Sequence, residues 1–223
     1  MSYAPLYGDV AEFFGRTEAV YSPTFVVGGA SAWSEEYFWQ VADQWTDQKQ
    51  RRWLPWRHLI PPTRRRTLRP ETDYTFPFIA MGLADVIARG GYGAIGSHGQ
   101  HHGIGSHWEM WMIATAMDPM QTLEVATMHG ARYLGMQNDL GSLEVGKLAD
   151  MVILNSNPLE DIHNTADIRF VMKAGTLYDS DTLDEVWPTA RPYGPYTWVD
   201  EDMLRSDDRP VGWWNRPGNG NGG

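Results

Sequence analysis

A chain of 223 residues with 42% hydrophobic residues carries enough apolar side chain to bury a core, which excludes wholesale disorder. Its formal net charge of −10 argues against nucleic acid or an anionic membrane surface as the main partner. The absence of cysteine excludes disulfides and any thiolate nucleophile or metal ligand.

The opening stretch MSYAPLYGDVAEFF has no basic region followed by an apolar run, so no signal peptide is expected. No stretch approaches the roughly eighteen apolar residues of a membrane span. Asp9 to Phe14 predicts a short helix, and YSPTFVVGG after it reads as a β-rich run closed by Gly28 and Gly29. Glu35 to Trp45 predicts a helix with aromatic residues on a mixed face. From Lys49 to Arg69 the texture changes, with eight of the eighteen basic residues interleaved with Trp53, Trp56, Pro55, Pro61 and Pro62. Prolines at that density exclude one continuous helix, which leaves an irregular basic loop. Such a loop suits single-stranded nucleic acid, a reading that the net charge opposes.

FPFIAMGLADVIARGG places Ile79, Leu83, Val86 and Ile87 on one helical face, with Gly90 and Gly91 as the stop. YGAIGS follows as a short apolar strand, the grammar of an α/β unit with a parallel strand. A histidine cluster, GSHGQHHGIGSHWEMW, begins where that strand ends. Loops after strand C-termini are where α/β folds build their chemistry. Trp108 to Met117 predicts a helix, Asp118-Pro119 caps another, and MQTLEVATMHGARYLG carries it to a stop at Gly135. Beyond it the texture is β: GSLEVGKLADMVILN, then IRFVMKAGTLYD as a hairpin turning at Ala174-Gly175. The end of the chain is rich in proline and glycine and reads as a flexible tail.

The block GSLEVGKLADMVILNSNPLEDI and the helix ATMHGARYLG before it resemble the C-terminal signature of the metal-dependent amidohydrolase superfamily. PTFVVGGASAWSEEYFWQ, the histidine cluster, FVMKAGTLYD and TLDEVWP resemble one branch of it, large exported amidohydrolases that carry a TolB-like β-propeller. The similarity runs from about Leu6 to Trp187. It implies an α/β fold: the C-terminal portion of a (β/α)8 barrel, incomplete here, plus part of the adjoining small β-sandwich. The boundaries it implies are barrel units over 1–137, a sandwich segment over 138–187 and a tail over 188–223. TFVVGG and YGAIGS would be the last two barrel strands. A whole barrel takes roughly 250 residues, so the chain is expected to be the C-terminal piece of a larger enzyme.

Members of the superfamily bind one or two divalent metals through ligands on strands 1, 4, 5 and 6, all upstream of what this chain matches. The resemblance thus implies a divalent metal, zinc by preference, in the parent protein, and none held by this chain alone. It implies hydrolysis of a C–N bond in a small-molecule or peptide substrate, with the isolated chain inactive. A non-catalytic binding or scaffold protein on the same barrel remnant is the alternative. Neither nucleic acid nor membrane is an expected partner, while open strand edges favour self-association.

In most of the superfamily an aspartate follows the Gly-Ser or Gly-Thr of strand 8, and here that position is His98. A histidine offers a base or ligand that works near neutral pH, so His98 is the leading candidate both for catalysis and as a metal ligand. His107 and Glu109 are further catalytic candidates, although either could instead orient the helix opened by Trp108. His101 and His102 lie outside the resemblance and read as loop residues without a role, while His129 and His163 read as structural. Trp108 and Trp111, three apart, read as core-facing.

Overall fold

The structure, a computed structural model, describes residues 6–28, 36–54, 58–60, 68–98, 101 and 103–194. The first helix, α1 (Gly8–Gly15), covers the expected segment and leads into β1 (Val20–Tyr21). α2 (Phe25–Gly28) is a single helical turn, and α3 (Tyr37–Val41) is followed by a 3-10 turn at Gln44–Thr46. α4 (Gln48–Trp53) opens the basic run. α5 (Phe76–Ala88) then leads into β2 (Tyr92–Gly93) and α6 (Ile104–Ile113). α7 (Pro119–Glu124) passes through a π-helical turn at Val125–His129 into α8 (Gly130–Tyr133).

β1 and β2 pair in parallel, Val20 against Tyr92 and Tyr21 against Gly93. The pairing is the α/β unit that the sequence grammar demands, but the first strand lies earlier than expected. The predicted strand TFVVGG is instead the turn α2 as far as Gly28, with Gly29 outside the described residues. Its cause is local. Thr24 sits at φ +54, which turns the chain out of the strand direction, and the N–H groups of Phe25 and Val26 point at a side chain rather than a neighbouring strand.

α5 packs as its pattern predicts. Ile79, Leu83 and Val86 are buried and Ile87 is half-buried. The chain leaves the helix through Gly90 at φ +89, with the Gly91 N–H bonded to the Val86 carbonyl at 2.9 Å. α6 is enclosed on most sides, burying Gly105, Trp108, Glu109, Met110, Met112 and Ile113. The main core joins Phe25, Val26, Phe38, Phe76, Ile79, Leu83, Trp108, Met112 and Ile113. At its centre Phe38 stacks on Trp108 with ring centroids 4.6 Å apart.

Four strands, β3 (Met151–Leu154), β4 (Ile168–Lys173), β5 (Thr176–Asp179) and β6 (Glu185–Trp187), form an antiparallel sheet in chain order. The β4–β5 hairpin turns at Ala174 and Gly175, at φ +48 and +81, the pair of positive values that a two-residue hairpin turn of this kind requires. Asp150 steadies that turn by accepting the Ala174 N–H at 2.6 Å.

Part of the basic run is helical rather than irregular. Asp47 caps α4 by accepting the Gln50 N–H at 2.7 Å, and residues 58–60 form another helical turn. Residues 55–57 and 61–67 lie outside the described residues, as does the predicted tail from 195 onward. Lys49 reaches the second sheet, donating to the Ile168 carbonyl at 3.0 Å and the Ser180 hydroxyl at 2.9 Å, and pairing with Asp181 at 3.1 Å. The molecule is thus an α/β fragment whose described strands do not close a barrel.

Candidate functional site

Two parallel strands define a direction, and the candidate residues gather beyond their C-terminal ends. After β1 come Thr24 and the α2 turn, and after β2 come Gly96, Ser97 and His98. Glu109 of α6 lies between these segments. It is fully buried, and its carboxylate accepts three backbone N–H groups: Phe25 at 3.0 Å, Val26 at 2.6 Å and Gly96 at 3.3 Å. An unsatisfied carboxylate in such surroundings would cost several kcal/mol. Burial pushes the Glu109 carboxyl above its ordinary range, and the three N–H groups oppose that rise.

His98 is exposed and stands two residues beyond the Gly96 N–H that Glu109 holds. It adopts φ +55, the left-handed region, where its own N–H folds back onto the Gly96 carbonyl. Histidine tolerates this region better than β-branched residues do. The other left-handed residue of the site is β-branched: Thr24, across from the same loop. Gly96 lies so close to it that a methyl group there would overlap the Thr24 side chain.

His107 does not join this group. Two positions along an α-helix are about 200° apart around its axis, so His107 and Glu109 leave α6 in different directions. His107 Nδ1 is buried with no hydrogen-bond partner among the described residues, and burial, aided by the Lys49 charge, holds its imidazole below the ordinary range. The sequence candidates therefore divide. Glu109 reaches from its helix to the loop that carries His98, and His107 lies on another side of the helix.

His101 requires a correction. Expected as a loop residue without a role, it is only 4% exposed, stacked on Trp108 at 4.9 Å and set edge-on to Trp39 at 4.8 Å. A chain of amides orients it. Gln44 Nε2 donates to the Phe38 carbonyl at 2.9 Å, so Gln44 Oε1 accepts from Gln50 Nε2 at 2.7 Å. Gln50 Oε1 is then the acceptor for His101 Nε2 at 2.5 Å, which places the ring proton on Nε2. His102, Gly99 and Gln100 lie outside the described residues.

The two histidines expected to be structural sit elsewhere. His129 Nδ1 accepts the Gly93 N–H at 3.4 Å and meets the edge of Tyr92 at 5.2 Å, and burial holds its imidazole low. His163 pairs with Asp161 at 2.7 Å on the surface.

Among the described residues no group of three His, Asp or Glu could hold a metal ion. A zinc site takes three or four ligands. The Glu109 oxygens already face three N–H groups. These residues do not by themselves make a metal site.

Residues 80–178 match the amidohydrolase family. The match takes in a little under half of the chain and marks a similarity to that family. The 5-methylthioadenosine/S-adenosylhomocysteine deaminase of Syntrophomonas wolfei subsp. wolfei is 44% identical over 73 residues, 30% of this chain and 16% of the deaminase. The S-triazine hydrolase of Gordonia rubripertincta is 45% identical over 88 residues, 34% of this chain and 18% of the hydrolase. The chain therefore spans less than a fifth of either relative. In fold, it resembles the crystal structure of an uncharacterized protein at a TM-score of 0.51 and 22% identity, over 78% of this chain and 38% of the other. The amidohydrolase match takes in β2, the described part of the histidine loop, α6, and the second sheet as far as Tyr178.

Proposed function

We propose that this chain supplies the last strand-end loop of a metal-dependent hydrolase acting on C–N bonds, with His98 as the residue that handles a proton there. The position of His98 carries the reading: an exposed imidazole, in an unusual backbone conformation, at the C-terminal end of a parallel strand inside the amidohydrolase match. Backbone conformations of this kind persist where surrounding structure enforces them, often at functional sites. In the parent protein a divalent metal, with zinc preferred, would supply Lewis acidity and would take its other ligands from residues not described here. His98 accepts a proton at a ring nitrogen and returns it, or serves as one ligand. Glu109 holds the backbone beneath His98, and His107 stands apart from both.

A deaminase and a hydrolase among the relatives favour C–N chemistry on a small molecule, with a peptide as the other substrate class. The branch with a TolB-like β-propeller remains the proposed parentage, on the resemblance of its sequence blocks. Association of the isolated chain through open strand edges is part of the same proposal. The test uses a longer chain that includes the sequence upstream of Met1. There His98→Ala should lower turnover on a hydrolysed amide or cyclic amide about 100-fold or more, with His107→Ala changing it little. Unchanged turnover in the His98 variant would overturn the assignment. A long chain with no hydrolysis, yet with ligand binding, would favour the non-catalytic alternative.

A further inference from the structure

Glu109 sits in the middle of a buried helix, where a carboxylate is out of place on hydropathy alone. Its partners explain it. Phe25 and Val26 follow the first parallel strand, Gly96 follows the second, and their three N–H groups converge on one carboxylate. Thr24 at φ +54 turns the first two toward it, and the contact between Thr24 and Gly96 brings the third alongside. The loop carrying His98 is therefore held at both ends by the same helix: at Gly96 by the Glu109 side chain, and at Gly103 by continuity with α6 itself.

We infer that Glu109 is a positioning residue, whose carboxylate fastens the C-terminal ends of both parallel strands and so sets where the His98 loop begins. Only a carboxylate suits three donors. Glutamine has the same shape, but its NH2 group would face an N–H and leave at least one donor unpaired. The consequence for chemistry rests on the proposed role of His98, whereas the fastening itself does not.

The test uses the 223-residue chain in solution, with Glu109→Gln and Glu109→Ala compared against the parent sequence by NMR. Both variants should shift the amide signals of Phe25, Val26 and Gly96 and the imidazole signal of His98, while circular dichroism retains the helical content. In Glu109→Ala, millimolar formate or acetate should return these signals toward their original positions, because a small carboxylate can occupy the vacated space. Acetamide and chloride should not. Rescue by a carboxylate alone distinguishes fastening from mere filling of volume. Unmoved amide and His98 signals in Glu109→Gln, or equal rescue by chloride, would overturn the inference. If neither variant folds, the unaltered chain decides. Couplings across hydrogen bonds from the Phe25 and Val26 nitrogens to the Glu109 carboxyl carbon are expected, and their absence overturns it. A longer chain in which Glu109→Gln moves His98 without changing turnover would refute the role of His98 and leave the fastening intact.

Discussion

Adding one methyl group at Gly93 tests how the second parallel strand seats on the helix before it. A Cβ at this position would stand 2.5 Å from Leu83 Cδ1 and 3.5 Å from Leu83 Cδ2 and Cγ. Relaxed carbon contacts lie at roughly 3.5–4.0 Å, so one side must give by about 1 Å. Leu83 has no exposed surface and packs in the main core, which leaves it nowhere easy to turn. Gly93→Ala should therefore destabilise the chain by about 1–3 kcal/mol through overpacking. Leu83→Ala should destabilise it by about 2–5 kcal/mol through the cavity it leaves.

The double variant is the informative one. Shortening Leu83 makes room for the new methyl group, which in turn fills part of the cavity. The pair should thus be more stable than the sum of its parts by about 0.5–3 kcal/mol, the range found for residues in direct contact. Urea denaturation of all four proteins, followed by tryptophan fluorescence, measures the coupling. Additivity within about 0.5 kcal/mol would falsify the packing of β2 on α5, and with it the placement of the His98 loop.

Two further predictions follow from charge and donor count. His107 and His129 are held low by burial, so the unfolded chain takes up protons before the folded one as pH falls. Their contribution to stability is fully present above the unfolded pKa of about 6.5 and is lost progressively below it. Melting temperature measured from pH 8 to 5 should fall more steeply for the parent sequence than for His107→Gln/His129→Gln, and equal slopes would count against the burial of these rings. Elemental analysis after dialysis against zinc should find well under one metal per chain, because no three candidate ligands stand together among the described residues. One tightly held ion per chain would reveal ligands beyond those described.

Much of this architecture was legible in the sequence, and the failures have physical causes. The face of α5, its glycine stop, the Asp118-Pro119 start and the hairpin at Ala174-Gly175 all follow from local rules, and each is present. Asp118 even forms a full capping box with Gln121. The misplaced strand at Thr24–Gly28 has β-branched and aromatic residues that suit a ladder. Its Phe25 and Val26 N–H groups instead answer a carboxylate more than eighty residues away, which no local pattern encodes. The burial of His101 is hidden from local sequence for a similar reason, since its partners Gln50, Trp39 and Trp108 come from separate elements. Glu109 did leave a signal. A lone carboxylate amid Trp108, Met110, Met112 and Ile113, on a helix apolar on most sides, must be buried and so must find donors.

The opposite ends of the parallel pair are built differently, and the contrast gives a final test. At the N-terminal end, Arg132 stacks on Tyr92 at 4.1 Å and pairs with Glu18 at 3.0 Å. At the C-terminal end stand Thr24 and His98, both at positive φ. In (β/α)8 barrels the first end serves stability and the second serves chemistry. A β-branched residue at φ +54 is strained, by about 1–2 kcal/mol for an L-residue in the left-handed region. Thr24→Gly should release that strain, against a loss of about 0.5–1 kcal/mol from the extra freedom glycine gives the unfolded chain. The net result should be a chain as stable as the parent sequence or slightly more so, measured by denaturation. Glycine in place of threonine at an ordinary extended position would destabilise instead. A clear loss of stability in Thr24→Gly, with the Phe25 and Val26 amides unmoved, would mean that the threonine side chain itself holds this end together, and that the strain is not there to be released.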